Sequence, residues 1–177
     1  MTYQEGIAHH EAAHVVISYL YGGGPTLHGI DITAPSSVPG AFGNAGVGKL
    51  IHDQNHSEED QRKDLLKNVA VICAGAACDA LTLNRTLDMA LKMQPGDLAA
   101  VRAEIAQSPL LPSPGLSPQE EQSERELVLR SGLETAQHQL ARPEVWVLVE
   151  KVAKACLDNG GKLSKDEIEA LFSPEDT

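Results

Sequence analysis

At 177 residues the chain is long enough for one domain with a sizeable core and too short for two ordinary ones. Hydrophobic residues make up 42% and aromatics only 3%, so a core has to be assembled from Ala, Val, Leu and Ile, which suits close helix packing. A formal net charge of −11 argues against nucleic acid or an anionic membrane as a general partner.

Thr2-x-x-Glu5 forms a capping box that predicts a helix from about Tyr3, and Gly22-Gly23-Gly24-Pro25 ends it. Within this helix lies His10-Glu11-Ala12-Ala13-His14, the H-E-x-x-H pattern. Positions i and i+4 share a helix face, so two imidazoles at this spacing can converge on one zinc ion. Glu11 follows the first histidine directly and is placed to take a proton from a water polarised at the metal, the general-base role in peptide hydrolysis. The composition predicts only about 0.02 chance matches to the pattern. The alternative, solvated His and Glu on a surface helix, is weakened by Val15, Val16, Ile17, Tyr19 and Leu20, which carry the next turns into a core.

Leu27 to Thr33 alternates apolar and polar residues and predicts a half-buried strand; Pro35 to Gly48, rich in Pro, Ser and Gly, predicts a loop. A second short strand is expected at Val47 to His52. One of these two strands, as an edge beside the metal helix, would receive a peptide as an added strand. His52 and His56 are four apart, but Ser57 reads as an N-cap that leaves His56 outside the helix and breaks the pair. From Glu58 a charged helix runs into Val69-Ala70-Val71-Ile72-Cys73-Ala74-Gly75-Ala76-Ala77-Cys78, whose small residues permit close approach of neighbours. Asp79 at its buried end needs a partner: it is either a cap and local acceptor or the group that orients a zinc-bound histidine.

Thr86 to Met93 predicts a short helix, and Pro95-Gly96 breaks the chain before another that Asp97 begins. Asp97 is either its N-cap or the third zinc ligand, and spacing does not choose between them. Ser108 to Pro118, with four prolines, predicts a loop. Gln119 to Leu140 follows as a polar helix with an apolar stripe at Leu127, Leu133 and Ala136. Pro143 opens a further helix with an apolar face through Val145, Trp146, Leu148, Val149, Val152 and Ala153. It ends at Asn159-Gly160-Gly161, and Ser164-x-x-Glu167 caps a last helix through Phe172.

Cys73, Cys78 and Cys156 show no C-x-x-C spacing; the first two read as buried small hydrophobes, and a reducing, cytoplasmic compartment is expected. No apolar run approaching ~18 residues and no basic N-terminal stretch is found, so neither a membrane segment nor a signal peptide is expected. The expected fold is α-rich α+β, a helical bundle with a small strand pair beside the H-E-x-x-H helix. It is organised as a metal-site half (1–107), the Pro-rich loop (108–118) and C-terminal helices (119–177) of a single domain.

Taken in order, His10-Glu11-Ala12-Ala13-His14-Val15-Val16, the strand around Ile30-Asp31-Ile32, Ala74 to Asp79, Gly96-Asp97-Leu98 and the stretch from Arg142 to Leu171 resemble the peptidase domain of the FtsH family of zinc metalloproteases (peptidase family M41). Only the H-E-x-x-H element is specific by itself; the others contribute through order and position. The resemblance implies a zincin-like fold, zinc held by His10, His14 and Asp97, and Glu11 as the general base. It places an acidic residue at Asp79 without giving its role. Ala13 stands where the family usually has Gly, and Gln94-Pro95-Gly96 replaces the family's usual small, Asn-containing turn.

These residues include no ATPase module, so the implied activity is hydrolysis of peptides, flexible segments or proteins delivered by a separate partner protein or ATPase. The family's hexameric rings depend partly on that module, so the resemblance implies no oligomeric state. Substrate preference is expected to reside in pocket shape around residues 33 to 48. Two alternatives stand beside the enzyme: a catalytically silent peptidase-like regulatory or binding module, and a helical protein whose H-E-x-x-H is coincidental.

Overall fold

A computed structural model describes residues 1–35, 42–47 and 57–172. The fold is α-rich α+β, seven helices and a three-stranded antiparallel sheet among the described residues. Helix α1 (Tyr3–Leu20) begins at the anticipated capping box, in which the Thr2 hydroxyl accepts from the Glu5 N–H and the Glu5 carboxylate accepts from the Thr2 N–H. Every residue from His10 to Ser18 is buried, so α1 is the central helix rather than one with a wet face. It lies against α2 (Glu58–Thr82), α6 (Pro143–Asp158) and both longer strands.

Strand β1 (Pro25–Pro35) is longer than the alternating run predicts, and β2 (Phe42–Val47) comes earlier than the expected 47–52. Phe42-Gly43-Asn44-Ala45-Gly46-Val47 reads as loop on propensity, yet pairing with β1 makes it a strand. The remainder of the expected second strand, with His52 and His56, lies outside the described residues. A two-residue strand, β3 (Lys162–Leu163), pairs with Ile30 and Asp31 on the other side of β1. The order β2-β1-β3 makes β1 central, so among the described residues β2 and β3, not β1, are the outer strands.

Ser57 caps α2 as expected, its hydroxyl accepting from the Asp60 N–H. The helix emerges from the charged first turns, braced by Arg62–Glu58 and Lys63–Glu59 pairs, into a run buried almost without break from Asn68 to Ala80. In length and apolarity α2 alone among the described helices could cross a membrane, and 67% of that apolar window is buried inside the fold. Lys67 and Asp79 interrupt its apolar stretch, so no continuous apolar run of that length stands in the sequence.

Helix α3 (Leu87–Lys92) is capped by Thr86, and α4 (Pro95–Gln107) starts with Pro95 at its first position. Helix α5 (Pro118–Leu140) buries Gly132, Leu133, Ala136 and Leu140. Gly132 lets α5 press onto α2: a Cβ there would stand 2.2 Å from Cγ1 of Val69. Leu127, expected in the stripe, is 64% exposed, because six residues on a helix carry it to a different face from Leu133. Val145, Val149, Val152 and Ala153 of α6 are buried as predicted, and α7 (Lys165–Phe172) follows the Ser164–Glu167 capping box. One apolar cluster joins residues of α1 through α7, built chiefly from Ala, Val, Leu and Ile.

Candidate metal centre

His10 and His14 sit one turn apart on the buried stretch of α1, each 7% exposed. Their outer nitrogens are both occupied by acceptors. The His10 Nδ1–H donates to Asp79 Oδ2 at 3.2 Å, and the His14 Nδ1–H donates to the Val71 carbonyl at 2.8 Å, both partners on α2. Because a carboxylate and a carbonyl only accept, the protons belong on Nδ1, and both Nε2 atoms present lone pairs. The two Nε2 atoms are 3.3 Å apart. Asp79 thus has the His10 imidazole as a partner.

The third group arrives from α4. Asp97 is not the N-cap: Gln94 holds that position, and Asp97 is the third residue of the first turn. The same face of α4 buries Val101, Glu104 and Ile105, at i+4, i+7 and i+8 from Asp97, and this packing aims the carboxylate inward. Asp97 Oδ2 lies 3.3 Å from His10 Nε2 and 3.5 Å from His14 Nε2, buried and accepting no hydrogen bond. His10, His14 and Asp97 form the one group of three or more potential metal ligands among the described residues.

Three acceptor atoms facing one another without a donor repel unless a cation lies between them. Their separations also fit: metal–ligand bonds of about 2.0–2.1 Å in tetrahedral geometry put ligand atoms about 3.3–3.4 Å apart. The residues therefore fit a divalent metal with two nitrogen donors and one oxygen donor.

Close approach of α2 to the pair requires Gly75. A Cβ at that position would stand 2.3 Å from His10 Nε2 and 2.5 Å from His14 Nε2, inside any tolerable contact. The single glycine in the small-residue run thus makes the cradle.

Electrostatics follow the geometry. Burial opposes the charged form of His10, but the Asp79 hydrogen bond and the nearness of Asp97 outweigh it, so its pKa is raised well above the usual imidazole value. His14 is raised for the same reason, burial again being outweighed, chiefly by Asp97. Burial also opposes ionisation of Asp97, yet the two imidazoles hold its carboxyl far below the usual range. Glu11, 5% exposed, is pushed up by burial, against the lowering pull of His14 and His10 and of the Ala45 N–H on β2. A carboxylate with raised proton affinity beside such a centre suits a general base. Cys73 is pushed up to about 12 by burial, with Asp97 adding to it.

The chain matches no protein-family model and no curated protein.

Every expected site residue among those described is thus brought to one place: His10, Glu11 and His14 from α1, Asp79 from α2 and Asp97 from α4. Three contributors were not anticipated. Gly75 carried a signal, a lone glycine inside a buried Ala-rich helix. The Val71 carbonyl carried none, because a backbone acceptor has no sequence signature. Gln94, whose side-chain N–H donates to Asp79 Oδ2 at 2.5 Å, reads in the sequence only as part of a turn.

Proposed function

We propose that this chain is a zinc-dependent metalloendopeptidase of zincin type, similar to the FtsH-family peptidase domain, acting on peptides or flexible protein segments. The observation that carries the reading is the convergence of His10 Nε2, His14 Nε2 and Asp97 Oδ2 within 3.3–3.5 Å, with Glu11 buried on the same helix turn. Two nitrogen donors and one carboxylate suit zinc, and three protein ligands leave the open position that catalytic sites keep. When bound, zinc supplies Lewis acidity, bringing the pKa of water toward ~7 and polarising the scissile carbonyl.

The chain's own residues do the rest. Asp79 and the Val71 carbonyl orient His10 and His14 and fix their tautomers. Glu11 takes the proton from the attacking water and returns it to the leaving amine. Edge strand β2, whose Ala45 N–H faces Glu11, is the strand on which a peptide would lie as an added strand. Its main-chain hydrogen bonds would align the scissile bond with little demand on side-chain identity. The three buried free thiols fit a reducing, cytoplasmic setting.

A catalytically silent binding module would have no use for a buried carboxylate beside the histidine pair, since desolvating such a group is costly. The deciding experiment incubates the zinc-loaded protein with an unstructured peptide mixture and reads new termini by mass spectrometry, beside Glu11→Gln. Cleavage that a chelator stops and Glu11→Gln lacks is expected. Zinc retained by both with no cleavage by either would make this a binding module.

A further inference from the structure

We infer that Gln94 is a positioning residue of the metal centre: its side-chain amide fixes the Asp79 carboxylate that aims His10, and so locks the turn that delivers Asp97 to the imidazole it serves. The inference rests on the metal-site reading and concerns a residue that the resemblance does not supply.

Gln94 occupies the N-cap position of α4 but makes no side-chain capping bond. Short side chains favour that position because they reach back to the first-turn N–H groups, and glutamine is not among them. Here the longer side chain crosses to α2 and donates to Asp79 Oδ2 at 2.5 Å. The same oxygen accepts from His10 Nδ1 at 3.2 Å. Two donors converging on one oxygen fix the carboxylate in a way that the longer histidine bond alone does not.

Topology gives this contact its significance. Gln94 precedes Asp97 by three residues, so the contacts close a ring: Asp97 faces His10 Nε2, His10 Nδ1–H is held by Asp79, and Asp79 is held by the residue that starts the helix of Asp97. Displacing any member moves a ligand on each side of the metal position. The ring also borders a cleft of about 340 Å³ lined by Tyr3, Ile7, His10, Asp79, Leu83 and Gln94 among others. Water entering that cleft would compete for the Asp79 carboxylate, and the Gln94 amide already occupies that acceptor.

The test is Gln94→Met, which keeps the length and removes the donor, made alone and on an Asp79→Ala background. Zinc affinity is measured by competition with a chromophoric chelator, and thermal unfolding of the metal-free proteins is measured in parallel. Removing an outer partner of a ligating histidine typically weakens metal binding about 10- to 100-fold. For Gln94, one contact further out, about 10-fold is expected in the otherwise unaltered protein and under about twofold on the Asp79→Ala background, because both act through one carboxylate. The metal-free melting temperatures should be nearly the same with and without the change. An equal loss on both backgrounds, no loss, or a loss matched by metal-free destabilisation would overturn the inference. If the unaltered protein binds no zinc, the proposed function fails, and the His10 ring decides the positioning role by itself. Its Nδ1–H, followed by NMR in the metal-free protein, should exchange faster in Gln94→Met, and an unchanged exchange rate would refute the role of Gln94.

Discussion

Asp97 Oδ2 stands 3.3 Å from His10 Nε2, two acceptors from different helices held together with no donor between them. Such an arrangement is favoured when the two atoms share a cation. The raised pKa of His10 and the depressed pKa of Asp97 describe this one interaction from its two sides.

A pH dependence with opposite signs in the two forms follows. In the metal-free chain the folded His10 and His14 bind their protons more tightly than at the ordinary value of 6.5. Their contribution to stability is therefore complete below about pH 6.5 and is lost as pH rises through the folded values. Asp97, depressed from its ordinary 3.8, contributes above that value and loses the contribution as pH falls through its folded value. Urea midpoints in chelator should thus be higher at pH 6 than at pH 9. Zinc affinity should rise over the same interval, since the metal displaces the protons. A metal-free protein more stable at pH 9 would contradict the assigned proton sites.

Glu11→Gln should leave the zinc content unchanged and lower kcat by about 10²- to 10⁴-fold, the range expected for loss of a general base. Zinc analysis and peptide cleavage on the same preparation test this. Full activity in the variant would remove Glu11 from the mechanism.

Asp79→Ala frees the His10 ring and should weaken zinc binding about 10- to 100-fold while metal is still held at saturating concentration. Chelator competition measures it. Unchanged affinity would mean that the 3.2 Å contact with His10 does not set the orientation of the ligand.

Gly75→Ala separates helix propensity from site geometry. Propensity alone favours alanine in a helix by about 1 kcal/mol. Here the added methyl meets the ligand nitrogens at 2.3 and 2.5 Å, so the imidazoles must move apart and zinc binding should be lost. A variant that is more stable and binds zinc normally would show that α2 can draw back from α1 at no cost.

Local signals made most of the helices legible. The Thr2–Glu5 and Ser164–Glu167 boxes, the Ser57 cap and Pro143 mark helix starts by chemistry confined to a few residues, and the helices begin there. The H-E-x-x-H spacing likewise needs only helical periodicity to place His10 and His14 together. What was not legible depends on partners distant in sequence. Strand β2 exists because β1 pairs with it, against the propensity of its two glycines and asparagine. Leu127 was misplaced because identity alone does not say which arc of a polar helix meets α2. Asp97 was ambiguous because cap and ligand use the same residue at the same kind of turn, and only the packing of α4 on α2 separates them.

The most direct measurement is zinc per chain by elemental analysis of the unaltered protein beside Asp97→Ala. A His10–His14–Asp97 centre predicts about one zinc per chain in the first and a strongly reduced content in the second. No zinc in the unaltered protein even after metal is supplied, or full retention in Asp97→Ala, would contradict it.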